Sequence, residues 1–375
     1  MLQPSELREQ CAARLTSLAR QAAETTAFVG LDGFVDEIIR VVDQRQDANR
    51  HESMHTIAQL GTRISSAAGK STNIELVVER TKIGGNGPIM ANALARLGLR
   101  VTYVGLLGHP NLHPVFKEFA QTAEVHSIGE PGHSDALEFN DGKIILGKLE
   151  SLKDITWPNI QARFGRERFL QRFGSAHLVG LVNWTMIPHM SEVWSALLSE
   201  VCPTLTGPRR KIFFDLADPQ KRTPADIRSA LELISRFERH FEVILGLNEK
   251  EAYEIGEVLG LSFPRESRDG LASMSAEIQR QLKIDTLVVH PVSYALAVSG
   301  GQVSSVDGPY VPTPLITTGA GDHFNAGFCL GKLLGLDNAS AVLTGVSTSG
   351  FYVKEARSPA VDDLVGLLRN WPQRP

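Results

Sequence analysis

A run of small residues ending in one acid, TTGAGDHFNAGF from Thr317 to Phe328, carries more chemistry than any other segment of the chain. Glycine lets the backbone turn its N–H groups inward and approach a ligand closely. The start of a helix adds N–H groups without intrahelical partners and a dipole that favours anions. A carboxylate in such a place would repel an anion, so Asp322 needs a purpose of its own. A general base supplies one. Asp322 would take a proton from a hydroxyl while the N–H groups of Gly319, Ala320 and Gly321 stabilise charge on a transferring phosphoryl group. An Asp cap after a glycine turn explains the same letters.

Three other groups of residues could add to such a site. In KIGGNGPIMANALARLG, Lys82 to Gly98, the glycines Gly84, Gly85 and Gly87 precede an alanine-rich helix with Asn86 inside the turn. Backbone and amide there could approach a polyhydroxylated ligand, although a tight strand-to-helix turn accounts for the same residues. In LGLNEKEAYEI, Asn248 and Glu251 stand three apart at a strand end and would share a helix face. Together they could hold a hydrated Mg2+ beside phosphates, since Mg2+ keeps waters and needs few protein ligands. An Asn cap followed by ordinary helical acids reads equally well. In VGLDGFVDEII, Asp32 and Asp36 follow the first apolar run and can point toward its end if the backbone turns at Gly33. Carboxylates there could accept hydrogen bonds from hydroxyls, or one could cap the next helix. Glu138 and Asn183 are further candidates for such contacts, with Trp184 as a stacking surface or a plain core residue.

Some patterns mislead. His51-Glu52-Ser53-Met54-His55 spells H-E-x-x-H, but its flanks DANR and TIAQ are not those of a buried apolar helix, so no zinc is expected. SAAGKST, Ser66 to Thr72, ends like a phosphate-binding loop yet lacks the first glycine and a preceding buried strand. No G-x-G-x-x-G follows the first strand, so the dinucleotide fingerprint is missing.

What must position these residues is an alternation of strands and helices. TAFVGLDGFV, VTYVGLLG, SAHLVGLVNW, KIFFDLADP, FEVILGLNE and IDTLVVHP each carry an apolar run of the length of a strand buried on both faces. Longer helical patterns such as GPIMANALARLGL and PADIRSALELISRF lie between them. The alternation predicts a three-layer α/β/α sandwich with a mostly parallel central sheet, and ligands beyond the carboxyl ends of its strands. Asp32, Asp36, Asn183, Asp215, Asp218, Asn248, Glu251 and His290 fall there. Residues 37–80 and 124–150 break the rhythm, and Asn140-Asp141-Gly142 marks a hairpin. These two segments are expected to form one small β-rich lid over a core of residues 1–36, 81–123 and 151–375. An exposed lid sheet could also pair with a second copy to give a homodimer.

Composition narrows the class. With 42% hydrophobic residues in 375 the chain can bury a large core, and a net charge of -4 argues against nucleic acid as the partner. The three cysteines lack C-x-x-C spacing, the N-terminus reads as an amphipathic helix, and no apolar run has the length of a membrane span. A cytoplasmic protein without membrane contact is expected.

Taken in order, GLDGFVD, GGNGPIMANALARLG, LNEKE and TTGAGDHFNAGF resemble the ribokinase-like (PfkB) carbohydrate kinase superfamily over roughly residues 26 to 353. The resemblance implies a kinase that moves the γ-phosphoryl of MgATP to a hydroxyl of a small sugar or polyol. Asp322 would be the base and Gly319, Ala320 and Gly321 the anion hole. Asn248 and Glu251 match the family's N-x-x-E motif, tied to Mg2+ and phosphate, and Asn248, His290, Gly319 and Gly321 would meet the nucleotide. Asp36 matches the sugar-binding Asp, and Gly84, Gly85 and Asn86 the glycine-rich sugar loop; Asp32, Glu138 and Asn183 complete the expected sugar contacts. Two departures stand out. Ile89 replaces the Asn of ribokinase itself, and HPVSYA, His290 to Ala295, replaces the T-x-G-x-x-G turn of many ATP-dependent members. The second departure is similar to the ADP-dependent sugar kinases, so ADP stays open as the donor, as does a nucleoside as the acceptor. A sugar- or nucleotide-binding regulator is the alternative outside the enzymes.

Overall fold

The apolar runs read from the sequence form the strands of a large sheet in the computed structural model, which describes residues 3–265 and 267–372. Residues 1–2, 266 and 373–375 of the expected core lie outside the described residues. The strands are β1 (Thr26–Leu31), β2 (Phe34–Arg45), β3 (His51–Ser53), β4 (Leu76–Gly84), β5 (Arg100–Gly105), β6 (Glu124–Ser127) and β7 (Gly132–Phe139). They continue as β8 (Gly142–Lys148), β9 (Leu178–Leu181), β10 (Arg210–Asp215), β11 (Phe241–Leu247), β12 (Thr286–Val289), β13 (Tyr294–Ser299) and β14 (Gln302–Asp307). Nine of them form one sheet in the order β14-β13-β12-β11-β10-β9-β1-β5-β6. Seven run parallel, and the β13–β14 hairpin adds two antiparallel strands at one edge.

Alternate side chains of these strands feed two separate cores, as the pleat requires. Ile212, Phe214, Val243, Leu245, Leu287 and Val289 point into one, with the helices Pro224–Phe237, Glu249–Val258 and Arg268–Leu282. Phe213, Ile244 and Val288 point into the other, with Pro4–Glu24, Asn86–Arg96, Ala320–Leu333, Asn338–Glu355 and Val361–Arg369. The three-layer sandwich follows directly. Among the described residues no helix is long and apolar enough to cross a membrane.

A second sheet is built from β2, β3, β4, β7 and β8. β2 pairs with β4 along one edge and with β7 along the other, and β7 turns into β8 through Asn140-Asp141. The turn also ties down the helix Ile57–Ser66, whose Ile57 N–H donates to Asp141 Oδ1 at 2.9 Å. Register places Asp36, Lys82, Ser134, Glu138 and Lys143 on one face of this sheet. The other face carries Ile39, Val41, Leu137, Phe139 and Ile144, packed with Leu60 of that helix.

Two boundaries differ from those read in the sequence. The second sheet starts at Phe34 and ends its first segment at Gly84, so Asp36 belongs to it. Residues 124–127 pair with β5 as the edge of the large sheet instead of joining the second one. The HESMH pattern lies partly in β3, so its histidines do not share a helix face.

Candidate active site

β1 ends at Leu31, and the chain then passes Asp32, which is wholly buried. Its Oδ1 accepts the Gly87 N–H at 2.9 Å and lies 3.3 Å from the Tyr103 hydroxyl, which donates to the Asp32 main-chain carbonyl at 2.6 Å. Its Oδ2 accepts the Asn86 N–H at 3.0 Å and the Asn183 side-chain amide at 2.6 Å. Three N–H donors and this longer hydroxyl contact surround the carboxylate. Asp32, expected to meet a sugar, also holds the glycine loop and Asn183 in place. Burial lifts its pKa to about 6, against the pull of these bonds. Asn183 has a left-handed φ of 63° and a buried Oδ1 without a protein partner, so it keeps one acceptor for a ligand.

The glycine loop has no room for side chains. A Cβ on Gly84 would stand 2.2 Å from Asp36 Oδ1. Asp36 is buried, 3.7 Å from Lys82 Nζ and hydrogen-bonded to Ser134; desolvation raises its pKa while Lys82 opposes the rise. Gly85 has a φ of 90° and starts the next helix. Asn86 then reaches across to Asp322, donating from Nδ2 to Oδ1 at 2.9 Å. One chain of contacts thus runs from Asn183 through Asp32 and Asn86 to Asp322.

Asp322 lies in the first turn of the helix Ala320–Leu333, directly after Gly319 with its φ of 93°. A side chain on Gly319 would meet the Tyr352 hydroxyl at 3.2 Å and Ile89 at 3.3 Å. The Ala320 N–H closes the turn onto the Thr317 carbonyl at 3.1 Å. This removes one donor from the expected three-amide anion hole. Among the described residues the Gly319 and Gly321 amides donate to no protein acceptor. His323 braces the turn from behind, with Nδ1 2.7 Å from the Gly319 carbonyl and Nε2 2.8 Å from Ser358 Oγ. Its ring stacks on Tyr352, and burial pushes its pKa down to about 4. A neutral ring that donates Nδ1–H to Gly319 and accepts from Ser358 satisfies both bonds. Burial raises the Asp322 carboxyl well above the ordinary range, with Asp215 and then Asp32 adding like charge and Asn86 and Lys82 opposing.

His290 follows β12 and packs its ring 4.8 Å from that of Phe324; desolvation lowers its pKa to about 4. Its Cε1 lies 3.2 Å from where a Cβ on Gly321 would stand, so it forms the wall behind the turn. Asn248 and Glu251 make a reciprocal cap. The Asn248 N–H donates to Glu251 Oε2 at 2.9 Å, and the Glu251 N–H donates to Asn248 Oδ1 at 2.9 Å. Glu251 Oε1 also accepts the Asp218 N–H at 2.8 Å, and burial raises the Glu251 pKa. A cavity of about 710 Å³ opens here, lined by Asn248, Lys250, Tyr253, His290, Pro291 and Val292. Trp184 is a core residue, fully buried and donating to Ser191 at 2.9 Å.

Three participants, Asn325, Lys82 and Lys143, were not singled out from the sequence, and Asp215 was placed there only as a residue beyond a strand end. Asp215, at the end of β10, is buried, accepts from Asn325 Nδ2 at 2.8 Å, and is raised in pKa by burial and by Glu251. Asn325 keeps a buried Oδ1 without a partner. The signal for it was the helical spacing of three from Asp322. Lys82 and Lys143 arrive from the second sheet. Lys143 lies 3.8 Å from Glu138 and donates from Nζ to Thr318 Oγ1 at 2.6 Å. Glu138, expected at the sugar, is thus joined to the TTGAG turn through this lysine.

Known proteins are similar to this chain in sequence and in fold. A family model described as prokaryotic ketohexokinase matches residues 5–371. A ketohexokinase of Haloferax volcanii is 29% identical over 350 residues, which cover 93% of this chain and 92% of that protein. Arabidopsis thaliana ribokinase complexed with ribose and ATP has a TM-score of 0.62 at 16% identity, covering 92% of this chain and 98% of that one. Escherichia coli phosphofructokinase-2 in complex with substrates and products gives a TM-score of 0.62 at 15% identity, covering 92% and 99%. At such identities the solved structures speak for the fold alone, whereas the family model spans nearly the whole chain. The chain belongs to the prokaryotic ketohexokinase family and is a carbohydrate kinase.

Proposed function

We propose that this kinase transfers the γ-phosphoryl group of MgATP to a hydroxyl of a ketohexose. The observation that carries the reading is Asp322. A buried carboxylate directly follows Gly321 and stands three residues after Gly319, whose amides have no protein acceptor among the described residues, and it is tied by Asn86 to the polyhydroxyl-binding loop. Asp322 takes the proton as the acceptor oxygen attacks phosphorus, and the Gly319 and Gly321 amides face the charge on the group in transfer. Asp36, Asn183 Oδ1 and Glu138 offer acceptors for sugar hydroxyls, and the related ketohexokinase supports a ketohexose as the acceptor. The cavity beside Asn248 and His290 is of a size to take the nucleotide.

Mg2+ fits the residues present. Asp215 and Glu251 are buried oxygen donors; burial raises the pKa of both, the Glu251 charge raises that of Asp215 further, and the buried Asn325 Oδ1 has no protein partner. Such hard oxygens suit a hydrated Mg2+, held through water by Glu251 and Asn248 with Asp215 nearby. When bound, the ion would neutralise charge on the donor phosphates.

The test is a panel of ketohexoses, aldohexoses, pentoses and nucleosides with ATP, ADP and GTP, reading phosphorylated product by mass. Ketohexose phosphate formed from ATP is the expected product. Turnover with ADP alone would move the donor assignment, and binding without any product would make the chain a sensor. The second sheet leaves Leu76, Val78, Ile145 and Leu146 exposed, which supports pairing of two copies through it; light scattering should give a dimer mass.

A further inference from the structure

We propose that Lys143 is a second charged group of the reaction, a cation carried on the small sheet that binds the phosphoryl group during transfer. The inference rests on the kinase reading above. Lys143 is the second residue of β8, opposite Glu138 of β7, on the same face as Asp36 and Lys82. Its Nζ donates to Thr318 Oγ1 at 2.6 Å. Thr318 immediately precedes Gly319, so the ammonium sits one residue from the paired amides. Its ion pair with Glu138 stands at 3.8 Å, beyond hydrogen-bond reach, and the Asp36 carboxylate of the same face interacts with its charge without an ion pair among the described residues.

An ammonium has three donors and a full charge, and here a neutral hydroxyl takes one of them. The side chain is one-quarter exposed, so it is partly desolvated and still open toward the site. A simple latch between the sheet and the turn would need only a neutral donor. A lysine held mostly out of water, whose ion pair with Glu138 is not a hydrogen bond, is poised for an anion. The group in transfer supplies one, because its equatorial oxygens carry charge that two amides meet only with partial positive ends.

The step needs no further reactant. The acceptor oxygen bonds to phosphorus, the bond from phosphorus to the oxygen of the departing diphosphate breaks, and the hydroxyl proton goes to Asp322. Lys143 keeps its protons and exchanges Thr318 Oγ1 for a non-bridging phosphoryl oxygen. Since it comes from the small sheet, the charge is in place only while that sheet covers the turn. This would restrain transfer to water when no sugar is bound.

The experiment compares wild type with Lys143→Met and Lys143→Arg, using fructose as acceptor and ATP as donor. It adds calorimetric binding of ADP alone and of ADP with aluminium fluoride, a mimic of the group in flight. Met should lower kcat about a hundredfold. The sugar KM and the affinity for ADP should stay within about twofold, because the ground state does not use the contact. Affinity for the fluoride complex should fall by a similar factor to kcat, and Arg should restore about tenfold or more. The melting temperature reports whether each variant is folded. A Met variant with normal kcat, or one whose loss lies wholly in sugar KM, would overturn the proposal while leaving the kinase reading intact. A wild type that phosphorylates no ketohexose would sink both.

Discussion

Asp322 shares its low-dielectric pocket with Asp215 and Asp32, and each of the three carboxyls is raised in pKa. A base must be deprotonated to work, so kcat/KM should rise with pH through the raised Asp322 pKa, placing the acid limb above that of an ordinary carboxylate. Lys82 is the cation that opposes this rise. Lys82→Met should therefore move the limb to higher pH, and an unmoved limb would show that Lys82 does not act on the base. Asp322→Asn should cost about a hundred- to ten-thousand-fold in kcat with both substrates still binding. Near-normal turnover would mean the GAGD run is only a helix start. The stability of the unliganded protein has its own sign. A carboxyl whose folded pKa exceeds the unfolded value near 3.8 binds more protons when folded, so stability is lost as pH rises through the folded pKa. Asp215→Asn should then gain in melting temperature over wild type as pH climbs from about 4 to 9. The variant can keep its partner because Asn325 can turn its unpartnered Oδ1 toward the new amide. A constant difference across pH would refute the charge argument. Asp322, Asp36 and Asn86 were legible because glycines flank or precede them. For Asp32 the sequence shows a carboxylate but not how many donors surround it.

At the scale of elements, the six buried parallel strands could be read because each has to be apolar on both faces. β2 could not. It follows β1 after only Asp32 and Gly33, and a register shift between Ile38 and Ile39 replaces alternation with the doublets Ile38-Ile39 and Val41-Val42. The β13–β14 hairpin also went unread, although its Gly300-Gly301 link lies between paired Ser299 and Gln302. The N-x-x-E segment shows how one motif serves two ends. Both Glu251 oxygens accept backbone N–H groups, so the residue is structural as well as a neighbour of the proposed Mg2+. Glu251→Gln turns one acceptor into a donor aimed at an amide and should cost about 1–3 kcal/mol in urea unfolding. It should also raise the Mg2+ needed for half-maximal rate. A loss of stability with unchanged Mg2+ dependence would leave Glu251 as a cap alone.

For the molecule as a whole, the two segments of the second sheet should respond together. If this sheet closes over a bound sugar, fructose should slow amide exchange in residues 37–80 and 132–148 in parallel. Protection of one segment alone would separate them. The sheet is attached where β1 passes into β2, and a Cβ on Gly33 would stand only 1.9 Å from the Leu106 carbonyl oxygen. That tight joint can act as a fulcrum. Asp36 and Ser134 lie two residues out from the Phe34–Gly132 pair, about 7 Å along the strands, while Glu138 and its partner Lys143 lie six residues out, about 20 Å. Any rocking of the sheet is therefore geared roughly three to one between the two positions. The acceptor meets a pocket that hardly shifts, and the phosphoryl group meets a cation whose arrival measures how far the lever has travelled.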